Sequence, residues 1–214
     1  MDRADLTELL EDPSLPDDVV ADAYRDLART QRFLGNTRAV LRRLKKDRGA
    51  IRRVLDIGCG QGALLAQIRQ KLGVEVIGVD LRPVPSAPVP ILTANAAVDP
   101  LPPADVALAV CVIHHLSDAE VIALIRNVSQ SCRRLILLDL VRHWIPLTLF
   151  RVFVSPFLHR INASDGFTSV KRAYTPRELR ELVDRAVKGT GARVAHTVAP
   201  FYIRQIIDIK FSVK

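Results

Sequence analysis

Cysteine is scarce in this 214-residue chain. Cys59, Cys111 and Cys132 are scattered, too few for a disulfide framework or a zinc site. No metal is expected on this reading. Long apolar runs are lacking too: no stretch of about 18 uncharged apolar residues occurs, so nothing clearly spans a bilayer. The opening segment MDRADLTELLEDPSLPDD is acidic and has no apolar signal-peptide core, so export is not expected. Internal repeats and low-complexity tracts are also absent. The expectation is a reduced, cytoplasmic, globular protein.

What is present points the same way. Hydrophobic residues make up 49% of the chain against 25% charged, which excludes a mainly disordered polymer. The length suits one domain of generous size, with enough material to bury a real core. The net charge of +8 is unevenly placed: residues 1–26 carry nine acids against two bases, leaving the excess of base to the remainder. Much of that excess lies in RAVLRRLKKDRGAIRR, residues 38–53. Such a run suits nucleic acid, an anionic membrane surface or an acidic partner, or else a solvated helix face paired with the acidic N-terminus.

The chain opens with two helical segments. Asp17 or Asp18 is placed to cap a helix through VVADAYRDLARTQRFL, where Val19, Tyr24, Leu27, Phe33 and Leu34 form a rough apolar stripe. Gly35 and Asn36 break it. A basic helix with Val40, Leu41 and Leu44 inward follows and stops near Gly49. Residues 1–50 thus read as a helical cap on a domain spanning 51–214.

From Arg52 the texture changes to alternating strand and helix. RRVLDI, VEVIGVD, VPILTA, ADVALAVCVI and RRLILLDLV read as strands, with ALLAQIRQKL and SDAEVIALIRNVSQ as helices between them. Ser117 with Glu120 forms a capping box. Runs this apolar suit strands buried on both faces, as in a parallel sheet covered by helices. Seven of the thirteen prolines lie between Pro83 and Pro103, so that region is expected to hold little helix. Residues 143–172 are a long insertion, mostly apolar at first, before a helix that Thr175 caps and Pro176 opens. RVAHTVAP and FYIRQIIDIKF then form an antiparallel pair turning at Pro200. The fold class is α/β, an open sheet closed by a C-terminal hairpin.

The residues with chemical content begin at VLDIGCGQG, Val54 to Gly62, where a strand turns into a helix. Gly58, Gly60 and Gly62 permit a tight turn and close backbone approach, and the helix N-terminus offers unpaired N–H groups. The run also fits the dinucleotide pattern G-x-G-x-x-A. Asp56, two residues before the first glycine, would repel a pyrophosphate and favour a ligand bearing an ammonium group. Asp80 ends the second strand, where a carboxylate can accept both hydroxyls of a ribose.

On these motifs the sequence resembles the class I S-adenosylmethionine-dependent methyltransferases, well over residues 52–142 and plausibly to 211. The resemblance implies a Rossmann-like seven-stranded sheet in the order 3-2-1-4-5-7-6 with strand seven antiparallel, and S-adenosyl-L-methionine as cofactor. Asp56, Gly58, Cys59, Gly60 and Gly62 would border its methionine portion, Asp80 would hold the ribose, and Leu81 would flank the adenine. Asn95 stands where the family usually reads adenine with an aspartate, beside Ala96; an amide oxygen can still accept from the adenine amino group. Val112, after strand four, completes that shell. Gln31, Gly35 and Arg38 would close over the cofactor, with Arg38 a candidate for its carboxylate.

Strand four ends in CVIHHLSDAE. The short Asn/Asp-Pro-Pro-aromatic motif of DNA and glutamine methyltransferases of this fold is absent, while His-His-Leu resembles the small-molecule subgroup typified by quinone-biosynthesis enzymes. A phenol gains from a base, and a histidine can serve at neutral pH. His114 or His115 is the candidate, only one of them facing the acceptor, with His143 as a further one; each is equally readable as a capping, packing or loop residue. Trp144 and Phe153, in the apolar half of the insertion, are candidate substrate contacts, whether that half acts as a lid, rests on lipid or completes the core. Ser169, Arg172 and Tyr174 are placed to face the acceptor, by resemblance to a bacterial group of small methyltransferases. The expected function is methyl transfer to a small, fairly apolar acceptor, a phenolic or quinol hydroxyl. Rival readings are an RNA methyltransferase using the basic helix, a non-catalytic cofactor-binding protein of the same fold, and a nicotinamide-binding Rossmann protein, which Asp56 disfavours.

Overall fold

The computed structural model describes residues 1–4, 6–12, 14–82 and 87–212. Among these residues seven strands, β1 (Arg53–Ile57), β2 (Glu75–Asp80), β3 (Ile91–Thr93), β4 (Ala104–Val110), β5 (Cys132–Asp139), β6 (Arg193–Val198) and β7 (Gln205–Lys210), form one sheet ordered β3-β2-β1-β4-β5-β7-β6. The first five pair parallel, and β7 runs antiparallel to β5 and β6. This is the Rossmann-like order that the sequence led us to expect.

Alternation along the strands builds two cores. Val54, Val106, Leu108, Ile136 and Leu138 point to one face, beneath α2 (Asn36–Lys46) and α3 (Ala63–Leu72), where they meet Leu41, Leu44, Leu65 and Ile68. Leu55, Ala107, Ala109, Leu135 and Leu137 point to the other, beneath α4 (Asp118–Ser131) and α7 (Pro176–Ala186). Burial on both faces is why these strands read as nearly continuous apolar runs. It also places the C-terminal ends of β1, β2, β4 and β5 along one rim, where open α/β sheets bind ligands.

Ser117 and Thr175 cap α4 and α7 through reciprocal bonds with Glu120 and Glu178. The first helix, α1 (Asp17–Phe33), departs from expectation. It starts behind Pro16 with no side-chain cap; Asp18 lies inside its first turn, where a negative charge still favours the helix dipole, and the side chain of Asp17 is outside the described residues. The basic helix ends at Lys46 and continues only as a 3-10 turn, Arg48–Ala50. Its bases do not meet the acidic N-terminus: among the described residues no ion pair joins 38–53 to 1–26, and acids of α1 pair within the helix, Asp22 with Arg25 and Asp26 with Arg29.

Residues 87–103 hold only the short β3 and no helix; Pro83 and Pro85 lie outside the described residues. The final strand starts at Gln205 rather than Phe201, because Phe201 and Tyr202 adopt φ of 58° and 56° in a 3-10 turn. The insertion is mostly helical, α5 (Trp144–Phe153) and α6 (Arg160–Arg172). A Cβ on Gly166 of α6 would lie 2.1 Å from the Phe150 ring of α5, so a glycine lets the two helices meet. Among the described residues no helix is long and apolar enough to cross a membrane.

Candidate active site

The turn after β1 is built around Gly58 and Gly60, at φ of 65° and 51°. The N–H of Gly58 donates to Val79 O at 2.8 Å, which ties the loop to the end of β2. A Cβ on Gly58 would lie 2.3 Å from a methyl of Val112, and one on Gly60 3.1 Å from the Tyr24 ring. Side chains at these two points would fill the crevice and strain the backbone. Cys111, at φ 55°, re-aims the chain after β4 and brings Val112 over the turn. Gly62 forms the N-terminal boundary of α3 and does not line the crevice.

That crevice is a cavity of about 700 Å³, within the range of small-molecule sites, roughly 300–1,000 Å³. Asp56, Gly58, Cys59 and Gly60 line it, as do Asp80, Leu81, Asn95, Ala96 and Val112. Asp80 is pre-oriented: its Oδ2 accepts from Gly60 N–H at 2.8 Å and its Oδ1 from Arg82 N–H at 3.1 Å. Asp56 is 3% exposed and its carboxylate has no hydrogen-bond or ion-pair partner among the described residues. Burial, with the nearby Asp80 charge, pushes its carboxyl up to about 8. A buried carboxylate in that condition is costly until a cation arrives. The Cys59 thiol is pushed up by the same burial and the same two carboxylates, which disfavours its thiolate. Asn95 makes a turn, its Oδ1 accepting from Ala97 N–H at 2.9 Å. An amide oxygen has a second lone pair for a ligand.

The other end of the cavity is walled by Glu8, His115, Leu116 and Arg172. Two adjacent histidines point to different places. His115 lines the cavity with about a third of its side chain exposed. His114 is buried and does not line it; its Nδ1 meets Asp139 Oδ1 at 2.6 Å and its backbone N–H donates to Asp139 Oδ2 at 2.9 Å. Burial raises the Glu8 carboxyl, against the lowering effects of His115, a Ser169 hydrogen bond and Arg172.

Several candidate residues stand elsewhere. His143 caps α5, accepting from Ile145 N–H at 3.2 Å, and stacks on Tyr202 at 4.3 Å. Trp144 and Phe153 are 65% and 63% exposed on α5 and do not reach the cavity. Arg38 points to solvent from α2, and Gly35 starts that helix; neither lines the cavity, whereas Gln31 does. Ser169 donates to Glu8 Oε1 at 2.6 Å, so it holds a wall residue instead of facing the space. Tyr174 is buried, its hydroxyl donating to Leu116 O at 2.8 Å beneath the Arg3 guanidinium. Of these three, only Arg172 lines the cavity.

The N-terminus walls this cavity, and the apolar half of the insertion does not line it. Tyr24, Leu27, Ala28 and Gln31 of α1 supply one wall and Glu8 another. Leu9 and Leu10 N–H groups donate to the Asp165 carboxylate at 2.7 and 3.0 Å, and Arg3 donates to the carbonyls of Arg172, His114 and Leu116. The sequence reading missed Glu8 and Tyr24. Tyr24 looked like part of an apolar stripe, and nothing around Glu8 distinguishes it from the other early acids. The spacing of Asp165, Ser169 and Arg172 on one face of α6 was the available signal, since three polar groups at helical intervals need partners.

Comparison with known proteins bears on this geometry. A family model described as a methyltransferase domain matches residues 27–186. No curated protein matches the sequence. Among solved structures, the chain is similar to the plantazolicin methyltransferase BpumL in complex with SAH, with TM-score 0.67, 14% identity and 91% of each chain covered. It is similar to the methyltransferase domain of bacterial CtHen1, with TM-score 0.59, 17% identity, and 85% of this chain and 98% of that one covered. Human N-acetylserotonin methyltransferase in complex with SAM aligns at TM-score 0.59 and 16% identity, over 94% of this chain and 61% of that one. At these identities the likeness is one of fold.

Proposed function

The chain belongs to the methyltransferase-domain family and is an S-adenosylmethionine-dependent methyltransferase, and from that premise we propose that it methylates a hydroxyl on a small, fairly apolar acceptor. One observation carries the reading: Asp56, Asp80 and the Glu8–His115 pair all line a single cavity. Its walls fit the cofactor, with a crevice that only glycines at 58 and 60 leave open and a buried carboxylate awaiting a cation. Asp56 would receive the ammonium group, Asp80 the ribose hydroxyls, and Leu81 with Asn95 the adenine. When bound, S-adenosylmethionine would supply a methyl on a cationic sulfur.

The remaining work falls to this chain. Leu10, Leu27, Leu116 and Leu124 give the cavity apolar walls suited to an aromatic or aliphatic body. Glu8 and His115 set a polar group against the acceptor's hydroxyl, easing loss of its proton, and Arg172 offers a fixed cation for an anionic oxygen. The N-terminal segment shuts out water, which strengthens each of these interactions. A desmethylPZN analog and N-acetylserotonin, named with two fold neighbours, belong in the first test panel. Purified protein is incubated with methyl-labelled cofactor and panels of phenols, quinols, peptides and RNA, with products read by mass spectrometry. Label on a hydroxyl oxygen of a small molecule is the expected outcome; label confined to RNA or to nitrogen would contradict it.

A further inference from the structure

We propose that Glu8, His114 and His115 form a site for one divalent transition-metal ion at the acceptor end of the cavity. The inference rests on the function proposed above and deepens it by stating how the acceptor oxygen is activated. Glu8 Oε1 lies 3.6 Å from His114 Nε2, and Glu8 Oε2 lies 3.9 Å from His115 Nε2. One donor atom from each residue falls within 4.8 Å of the other two. A tetrahedral ion with bonds of ~2.0–2.1 Å holds its donors about 3.3 Å apart, so closure draws donors now within 4.8 Å of one another together by up to about 1.5 Å.

The surroundings suit a cation. His114 Nδ1 meets Asp139 Oδ1 at 2.6 Å and its Nε2 faces Glu8; a carboxylate behind an imidazole is the arrangement that orients metal ligands. Glu8, Asp139 and Asp165 are buried carboxylates, set against the guanidinium of Arg172. Two imidazoles with one carboxylate select Zn²⁺, Mn²⁺ or Fe²⁺ over the all-oxygen ligand sets of Mg²⁺ and Ca²⁺.

Glu8 and His115 open onto the cavity, so the ion's remaining position faces the acceptor and would polarise its hydroxyl. The hydroxyl proton passes to the Glu8 carboxylate oxygen that does not hold the ion, the oxygen lone pair forms the bond to the methyl carbon, and the carbon–sulfur pair stays on sulfur. No oxidant or reductant is required. The sequence pointed to no metal because its ligands come from the N-terminus and from adjacent histidines, a spacing that forms no recognisable motif.

The test uses full-length protein stripped with a chelator, dialysed, and titrated with Zn²⁺ by calorimetry; Co²⁺ is added in parallel and its visible absorption recorded. One ion per chain is expected, with a tetrahedral Co²⁺ spectrum in the wild type. Affinity for Zn²⁺ should fall ~10-fold or more in Glu8→Gln and in His115→Ala, while both variants keep S-adenosylhomocysteine binding. The retained binding shows that they fold, and it separates this inference from the cofactor assignment. Absence of saturable Zn²⁺ binding, a purely octahedral aqueous Co²⁺ spectrum, or equal Zn²⁺ affinity in all three proteins would overturn the site.

Discussion

At the scale of the residue, Asp56 carries the most physical information. Burial and the Asp80 charge hold its carboxyl at about 8, against ~3.9 in an unfolded chain. Between those values the folded state binds more protons than the unfolded one. Its contribution to stability is therefore fully present below about pH 4 and is lost as pH rises through about 8. An ammonium group beside it reverses the preference and ionises the acid. Cofactor binding at pH 7 should then release a proton, seen as a dependence of calorimetric enthalpy on buffer ionisation, and affinity should rise from pH 6 to pH 8. Asp56→Asn should remove both effects; an unchanged proton count in that variant would assign the linkage to another group. His115→Ala, at the other end, should lower turnover by roughly 10²–10⁴-fold with little change in S-adenosylhomocysteine affinity.

The residue scale also shows what the sequence could disclose. That Asp56, Gly58, Gly60 and Asp80 share one crevice was legible, because a tight turn constrains neighbours in sequence and spacing preserves that constraint; Gly62, read with them, lies outside it. The division of labour between His114 and His115 was not legible. Both follow β4 in one short turn, and only the position of Asp139, on a neighbouring strand, decides which ring is buried. Trp144 and Phe153 were plausible by hydrophobicity, yet apolar residues on an exposed helix and in a pocket wall look identical until packing is known.

Among the elements, the N-terminal segment matters most for the site. Arg3 joins it to α6 and to the turn after β4, donating to Arg172 O and Leu116 O at 2.7 Å each and lying 3.9 Å over the Tyr174 ring. Asp165 and Ser169 then hold Leu9, Leu10 and Glu8 along one face of α6. Arg3→Ala should cost about 1.5–3 kcal/mol, the scale of hydrogen bonds to a charged group. By loosening Glu8 it should reduce turnover more than cofactor affinity; denaturant unfolding with kinetics on the same sample checks both. Capping boxes at Ser117 and Thr175 were readable because their partners lie three residues on, whereas α5 and α6 lacked such local signals and emerge from mutual packing at Gly166 and Phe150.

For the whole molecule, strand order and burial were the most legible features, since two-sided burial writes itself into apolar runs. Leu108 of β4 is fully buried beneath α2 and α3. Leu108→Ala should destabilise the fold by about 2–5 kcal/mol in chemical denaturation, with the cavity's ligand preference unchanged. In the basic run 38–53, α2 buries Val40, Leu41 and Leu44 against the sheet and turns most of its bases to solvent, an arrangement that a solvated face and a partner surface share.

On the proposed reading, the nucleoside and amino-acid ends of one ligand would meet Asp80 and Asp56, which line a single crevice. Calorimetric titration of S-adenosylhomocysteine into the wild type and Asp80→Ala tests this most directly. The account predicts one site per chain in the wild type and at least ~10-fold weaker binding in the variant, the loss expected for hydrogen bonds to a charged acceptor. No binding by the wild type, or the same affinity in both proteins, would contradict it.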